Sequence, residues 1–127
     1  MSPPPSHRPD ERGSASLIAA AMIAALVAIT AGGAALGAAV IARHRAQAAA
    51  DLAALAGAVY LPGGARSACA QVSVLARSMG TTAVACTVDR LDVVVTVEAS
   101  SAWGHTRMGP ARAVARAGPA RTNDTEG

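Results

Sequence analysis

The stretch Arg43–Ala58, RHRAQAAADLAALAGA, decides how this chain folds. Upstream of it, from Gly13 to Ala42, no residue carries a charge. Downstream, the helix-forming alanines run on without a proline or a turn signal, and the first breakers are Pro62-Gly63-Gly64. The Arg43-His44-Arg45 cluster therefore reads as a boundary inside one continuous helix, from about Ser14 to Tyr60, and not as a loop between two elements.

The charge-free part is long enough to cross a bilayer. At 1.5 Å per residue, residues 15–42 make a helix about 42 Å long, against a hydrocarbon core of about 30 Å. Leu17, Ile18, Met22, Ile23, Leu26, Val27, Ile29, Leu36, Val40 and Ile41 supply the insertion energy, at about 0.3–0.6 kcal/mol each for most of these types. A secretory signal has an apolar region of about 7–15 residues, roughly half of this run. A helix apolar all round inside a soluble fold needs protein on every side, more than the rest of the chain provides. Arg12 marks one membrane boundary and Arg43, His44 and Arg45 the other, so the lipid bilayer is the first expected partner. Within the run, Gly33 and Gly37 form a GxxxG spacing, a strip on which a second helix backbone can pack closely.

Beyond Arg45, Leu52, Leu55 and Val59 recur at helical spacing and form a modest apolar stripe that wants a partner. Gln47 and Asp51 lie four apart, within reach of a hydrogen bond along the helix surface. After the glycine break, Ser67 to Met79 reads as a short helix with Ala68, Val72, Leu75 and Met79 on one face, Cys69 at its edge and Gly80 as its stop. Thr82 to Val88 alternates, with Val84, Cys86 and Val88 on one side. Asp89-Arg90 turns the chain into Leu91 to Ala99, where Leu91, Val93, Val95 and Val97 face one way.

The expected architecture is α+β. Residues 1–13 form a disordered N-terminal segment, 14–60 the long helix with its membrane part at about 15–42, 65–99 a small α-β-β unit, and 100–127 a disordered basic tail. The small unit falls below the size at which a core alone suffices. A bond between Cys69 and Cys86 would close a loop of about 17 residues, worth roughly 3 kcal/mol in the chain-entropy model. Two reduced, buried cysteines are the alternative reading. Disulfides persist outside the cytoplasm, so a bonded pair would place the C-terminal part on the oxidising side. That matters because arginines flank both ends of the apolar run, and the positive-inside rule alone gives nearly a tie.

Composition narrows the function classes. The chain of 127 residues carries a net charge of +3, all of its basic residues being arginine, with one tryptophan, one tyrosine and no phenylalanine. Scattered arginines without an aromatic stacking platform argue against nucleic-acid binding. His7, His44 and His105 show no metal-ligand spacing, and neither a GxSxG elbow nor a P-loop is present. No catalytic, cofactor-binding or metal residues are expected, nor a small-molecule substrate.

Glu11-Arg12-Gly13-Ser14-Ala15 leading into the apolar helix, followed by Ala49-Ala50-Asp51-Leu52-Ala53-Ala54-Leu55-Ala56, resembles the amino-terminal region of TadE- and TadG-like proteins of the tight-adherence (Flp) pilus and secretion system. Length and the two later cysteines are similar to the short actinobacterial secretion-neighbourhood TadE-like branch. The resemblance covers roughly residues 10–99. It implies a single-pass, pilin-like membrane protein with a cytoplasmic N-terminus and an extracytoplasmic C-terminal part, working as a structural or assembly component beside other Tad-system membrane proteins or pilin-like subunits. It also implies processing between Gly13 and Ser14; at the fifth position after that cut, where prepilins of this class usually carry glutamate, this chain has Ile18. Two rival expectations are a small membrane regulator whose basic tail is cytoplasmic and a secreted effector released by signal cleavage.

Overall fold

A computed structural model describes residues 1–4, 10–101 and 109–120, and the side chains of residues 10–12 fall outside that description. The elements are α1 (Asp10–Tyr60), a short 3-10 turn (Leu61–Gly63), α2 (Ala65–Ser78), β1 (Thr82–Asp89), β2 (Asp92–Ala99) and β3 (Ala111–Ala117). The fold is α+β, as the patterning predicts, with a three-stranded antiparallel sheet in the order β1-β2-β3. Two compact units divide at Leu36/Gly37, and α1 supplies residues to both.

In the first unit the described part of α1 is exposed on every side, and Leu17, Ile18, Met22, Ile23, Leu26, Val27, Ile29 and Leu36 all face outward. By length and composition the helical stretch Gly13–Gly63 contains a candidate membrane span. An apolar helix with no protein around it is stable in lipid, because its backbone bonds close internally and its side chains match the hydrocarbon.

The second unit has a core built from alanines and valines. Ala46, Ala49, Ala50, Ala53 and Ala54 of α1 join Ala68 and Val72 of α2, Val93, Val95, Val97 and Ala99 of β2, and Ala113 and Ala115 of β3. Leu52, Leu55 and Val59 do not take part; they stand 48, 57 and 72% exposed. The alanine face wins because small side chains let the helix backbone come close to a sheet that already presents valines. Close packing of many small contacts substitutes here for a few large ones.

The closest approach is at Gly57. A Cβ placed there would lie 2.8 Å from Val72 Cγ2 and 3.0 Å from Val93 Cγ1. Gly57 is thus where α1, α2 and β2 meet, and only hydrogen fits.

α2 ends in a glycine cap. Gly80 adopts φ +68°, its N–H donates to the Arg77 carbonyl at 3.0 Å, and the Thr81 N–H donates to the Ala76 carbonyl at 3.0 Å. This crossed pair satisfies carbonyls that the helix end would otherwise leave bare. Buried Thr81 adds an Oγ1–H bond to the same Ala76 carbonyl at 2.8 Å.

Three expectations are corrected. First, β1 carries a bulge between Ala83 and Ala85, and the extra residue, Val84, turns outward. A single inserted residue reverses the alternation on one side of it, so Ala83 and not Val84 packs against the core with Cys86 and Val88. Second, Leu91 lies in the two-residue turn with Arg90, whose φ is +59°, and is 63% exposed. β2 begins at Asp92, paired with Asp89.

Third, residues 111–117, expected within an irregular tail, form β3. Ala113 and Ala115 are buried, Arg112, Val114 and Arg116 face outward, and the strand pairs with β2 along its length, Val95 opposite Ala115 and Glu98 opposite Arg112. On that outer face Arg112 pairs with Glu98, while Arg116 reaches Asp89 at 2.8 Å and Asp92 at 3.0 Å. Such exposed pairs contribute only about 0–1 kcal/mol each. The remaining tail residues expected to be basic and irregular, Arg107 and Arg121, lie outside the described residues, as do His7, Arg8, Trp103 and His105.

Candidate functional surface

The RHR cluster and the motif after it lie on one helix, and helical geometry separates their residues by face. Ala49, Ala50, Ala53 and Ala54 point into the core, whereas Asp51 and Leu55 point to the outside and Ala56 lies between the two. One sequence motif therefore does two jobs. Its alanines seat the helix on the sheet, and its other residues present an open surface.

On that surface Gln47 Nε2 donates to Asp51 Oδ1 at 3.1 Å, along the helix as the four-residue spacing predicts. Arg43, His44 and Arg45 are all exposed, spread around one turn of α1. An Arg guanidinium or a His ring in that position meets water or lipid headgroups at no desolvation cost. Arg12, the other expected boundary residue, has its side chain outside the described residues.

At Gly33 and at Gly37 a Cβ would meet nothing within 4 Å, so each glycine sits on an open part of α1. Gly13 is likewise open, on a helical backbone, with Ser14 exposed beside it.

Cys69 of α2 and Cys86 of β1 are joined by a disulfide, with Cα atoms 5.8 Å apart and a sequence separation of 17. The bond ties the short helix to an edge strand of the sheet. Among the described residues no group of three or more His, Cys, Asp or Glu side chains is placed to hold a metal ion.

Sequence reasoning passed over two features of this unit. Gly57, inside a helix of otherwise good formers, was the available signal for a close backbone approach. Gly118, just after β3, is the second: a Cβ there would lie 2.8 Å from Asp92 Cγ and 3.1 Å from the Leu91 carbonyl oxygen, and shorter still from Asp92 Oδ1.

A helix whose first part is long and apolar enough to cross a membrane, and whose second part is seated on a small disulfide-tied sheet, is the architecture these residues define. Within it, residues 13–59 match the family described as "Putative Flp pilus-assembly TadE/G-like". The chain is also 56% identical over 54 residues to the apoptosis inhibitor Rv3654c of Mycobacterium tuberculosis. That similarity covers 42% of this chain and 64% of the mycobacterial protein, a little under two thirds of its length. No solved structure matches the chain.

Proposed function

We propose that the protein is a membrane-anchored, pilin-like structural or assembly component of a Tad/Flp-type pilus or secretion system. The observation that carries this reading is the coincidence of the family match at 13–59 with a single helix that contains the candidate membrane span and the outward-facing half of the motif. In this role the charge-free part of α1 holds the subunit in the bilayer. Residues 43–45 mark where the helix leaves lipid, and the unit from Gly37 onward is offered to other Tad-system membrane proteins or pilin-like subunits.

The orientation in this proposal is N-terminus cytoplasmic and C-terminal part extracytoplasmic. Its support is the bonded pair Cys69–Cys86, since such bonds persist in oxidising compartments. Gly33 and Gly37 serve in helix packing, and Gly13-Ser14 is the place where a processing peptidase would cut. No catalytic, cofactor or metal role is assigned, and neither nucleic acid nor a small molecule is a proposed partner.

The test is labelling of intact cells with a membrane-impermeant thiol reagent, before and after an external reductant. Label on Cys69 and Cys86 only after reduction agrees with the proposal; thiols that label only after the cells are permeabilised would overturn the orientation. A second reading is the secreted effector released by cleavage, the rival to the anchored one. It requires a mature chain that begins near or beyond Ala42. Intact mass separates the readings, because a chain starting at Met1 or Ser14 keeps the span and one starting beyond it does not.

A further inference from the structure

The face of α1 opposite its buried alanines carries a pattern of its own. Gly37, Ile41, Ala48, Leu52, Leu55 and Val59 are exposed along it, with His44 between Ile41 and Ala48. The large members are 62% (Ile41), 48% (Leu52), 57% (Leu55) and 72% (Val59) exposed. Steps along the strip run four, three, four, four, three and four residues, so that Gly37 and Ala48, Ile41 and Leu52, His44 and Leu55, and Ala48 and Val59 are each 11 apart. An 11-residue repeat averages about 3.67 residues per turn and keeps its face aligned with a right-handed superhelix. At Gly37 a Cβ would meet nothing within 4 Å, so the strip begins where a second helix backbone can approach closely.

We propose that this strip, Gly37 to Val59, is a parallel, right-handed contact with a second copy of the same chain. The proposal rests on the membrane-anchored reading above, which gives two copies the same orientation and sets identical residues at identical depth. Leu55 then meets Leu55 and Ala48 meets Ala48. Charge on the margins points to the same occupant: exposed Arg45 borders the strip on one side and exposed Asp51 on the other. In a parallel two-fold pair opposite margins face each other, so arginine of one copy looks toward aspartate of the other. A partner helix with like charges on both margins would not be accepted in this way. The alanine face is unaffected, since it is already filled by the sheet.

Cysteine scanning of the full-length protein in native membranes tests the contact, with Cys69 and Cys86 left in place. Single variants H44C, R45C, A48C, L55C and Y60C are oxidised mildly, and the linked peptides are identified by mass spectrometry. The expected result is homodimer linked through positions 44, 48 and 55, with several-fold less at 45 and 60. Position 44 against 45 is the decisive pair, because a left-handed seam of spacing about 3.5 would continue upward from Ala48 through Arg45 instead of His44. Stronger linkage at 45, equal linkage at every position, linkage to a different protein, or none at all in membrane-bound chain overturns the contact while leaving the anchored reading intact. Recovery of the protein outside the membrane fraction overturns the anchored reading itself and removes the basis of the pairing.

Discussion

Replacing Gly57 by alanine sets two opposing effects against each other at one atom. In an exposed helix interior the change would stabilise by about 1 kcal/mol, because alanine loses less backbone entropy than glycine. Here the new methyl falls 2.8 Å from Val72 Cγ2 and 3.0 Å from Val93 Cγ1, where ordinary carbon contacts lie about 3.5–4.0 Å apart. Both valines are fully buried, and their branched side chains have little rotamer freedom to retreat. Overpacking of this kind costs about 1–3 kcal/mol, so the net effect of Gly57→Ala is a loss of about 1 kcal/mol, up to about 2. For a unit of this size each kcal/mol moves the melting temperature by about 4–8 °C. Thermal unfolding of the disulfide-intact protein in mild detergent, followed by circular dichroism, reads the shift. The companion variant Val72→Ala lowers stability by itself, but in the double mutant the two costs should sum to less than their separate values, because the valine methyls removed vacate the space that the added methyl at position 57 needs. A Gly57→Ala protein that melts higher than wild type, or a strictly additive double mutant, would refute the close-approach argument.

Other consequences can be read from the same unit. Replacing Cys69 and Cys86 together by alanine should lower stability by about 2–4 kcal/mol, chiefly through the unfolded chain, and reductant should reproduce the loss in wild type and leave the variant unmoved. Gly118→Ala forces Asp92 aside and with it one Arg116 contact; the loss should exceed that of Arg116→Ala alone, which removes two exposed pairs worth about 0–1 kcal/mol each. Deleting residues 109–127 strips β3 from β2 and uncovers Val95 and Val97, so limited proteolysis should cut the truncated unit far faster than the intact one, starting at the newly bare edge. Asp51→Asn, by contrast, keeps a partner for Gln47 on an exposed face and should leave the melting temperature unchanged within error.

Much of this architecture is legible in the residues one at a time. The absence of charge from Gly13 to Ala42, the lack of a breaker before Pro62 and the glycine at position 80 each act locally, through solvation or backbone conformation, and the helices fall where those signals place them within a few residues. The four-residue spacing of Gln47 and Asp51 likewise needs only helix geometry to predict its hydrogen bond. The motif through which residues 13–59 resemble Tad-family proteins is equally a property of the sequence, since its residues are contiguous.

What the sequence left undecided was which surface each element would bury. Leu52, Leu55 and Val59 are more hydrophobic than the alanines beside them, and transfer energy alone would put them inside. The sheet already offered valines, however, and the space between helix and sheet admitted only methyl groups and the hydrogen of Gly57. β3 escaped notice for a related reason: its inward residues are alanines, too weakly apolar to reveal an alternation, and its outward arginines look like a solvated tail until Glu98, Asp89 and Asp92 are brought opposite them. The bulge at Val84 is invisible until a partner strand exists to count against. Local chemistry thus determined where this chain is helical, where it can enter a membrane and which family it resembles. Tertiary packing alone decided which face is core, because that choice depends on the volume and register of neighbours far away in the sequence, and it is the choice that leaves a leucine-bearing face of α1 open.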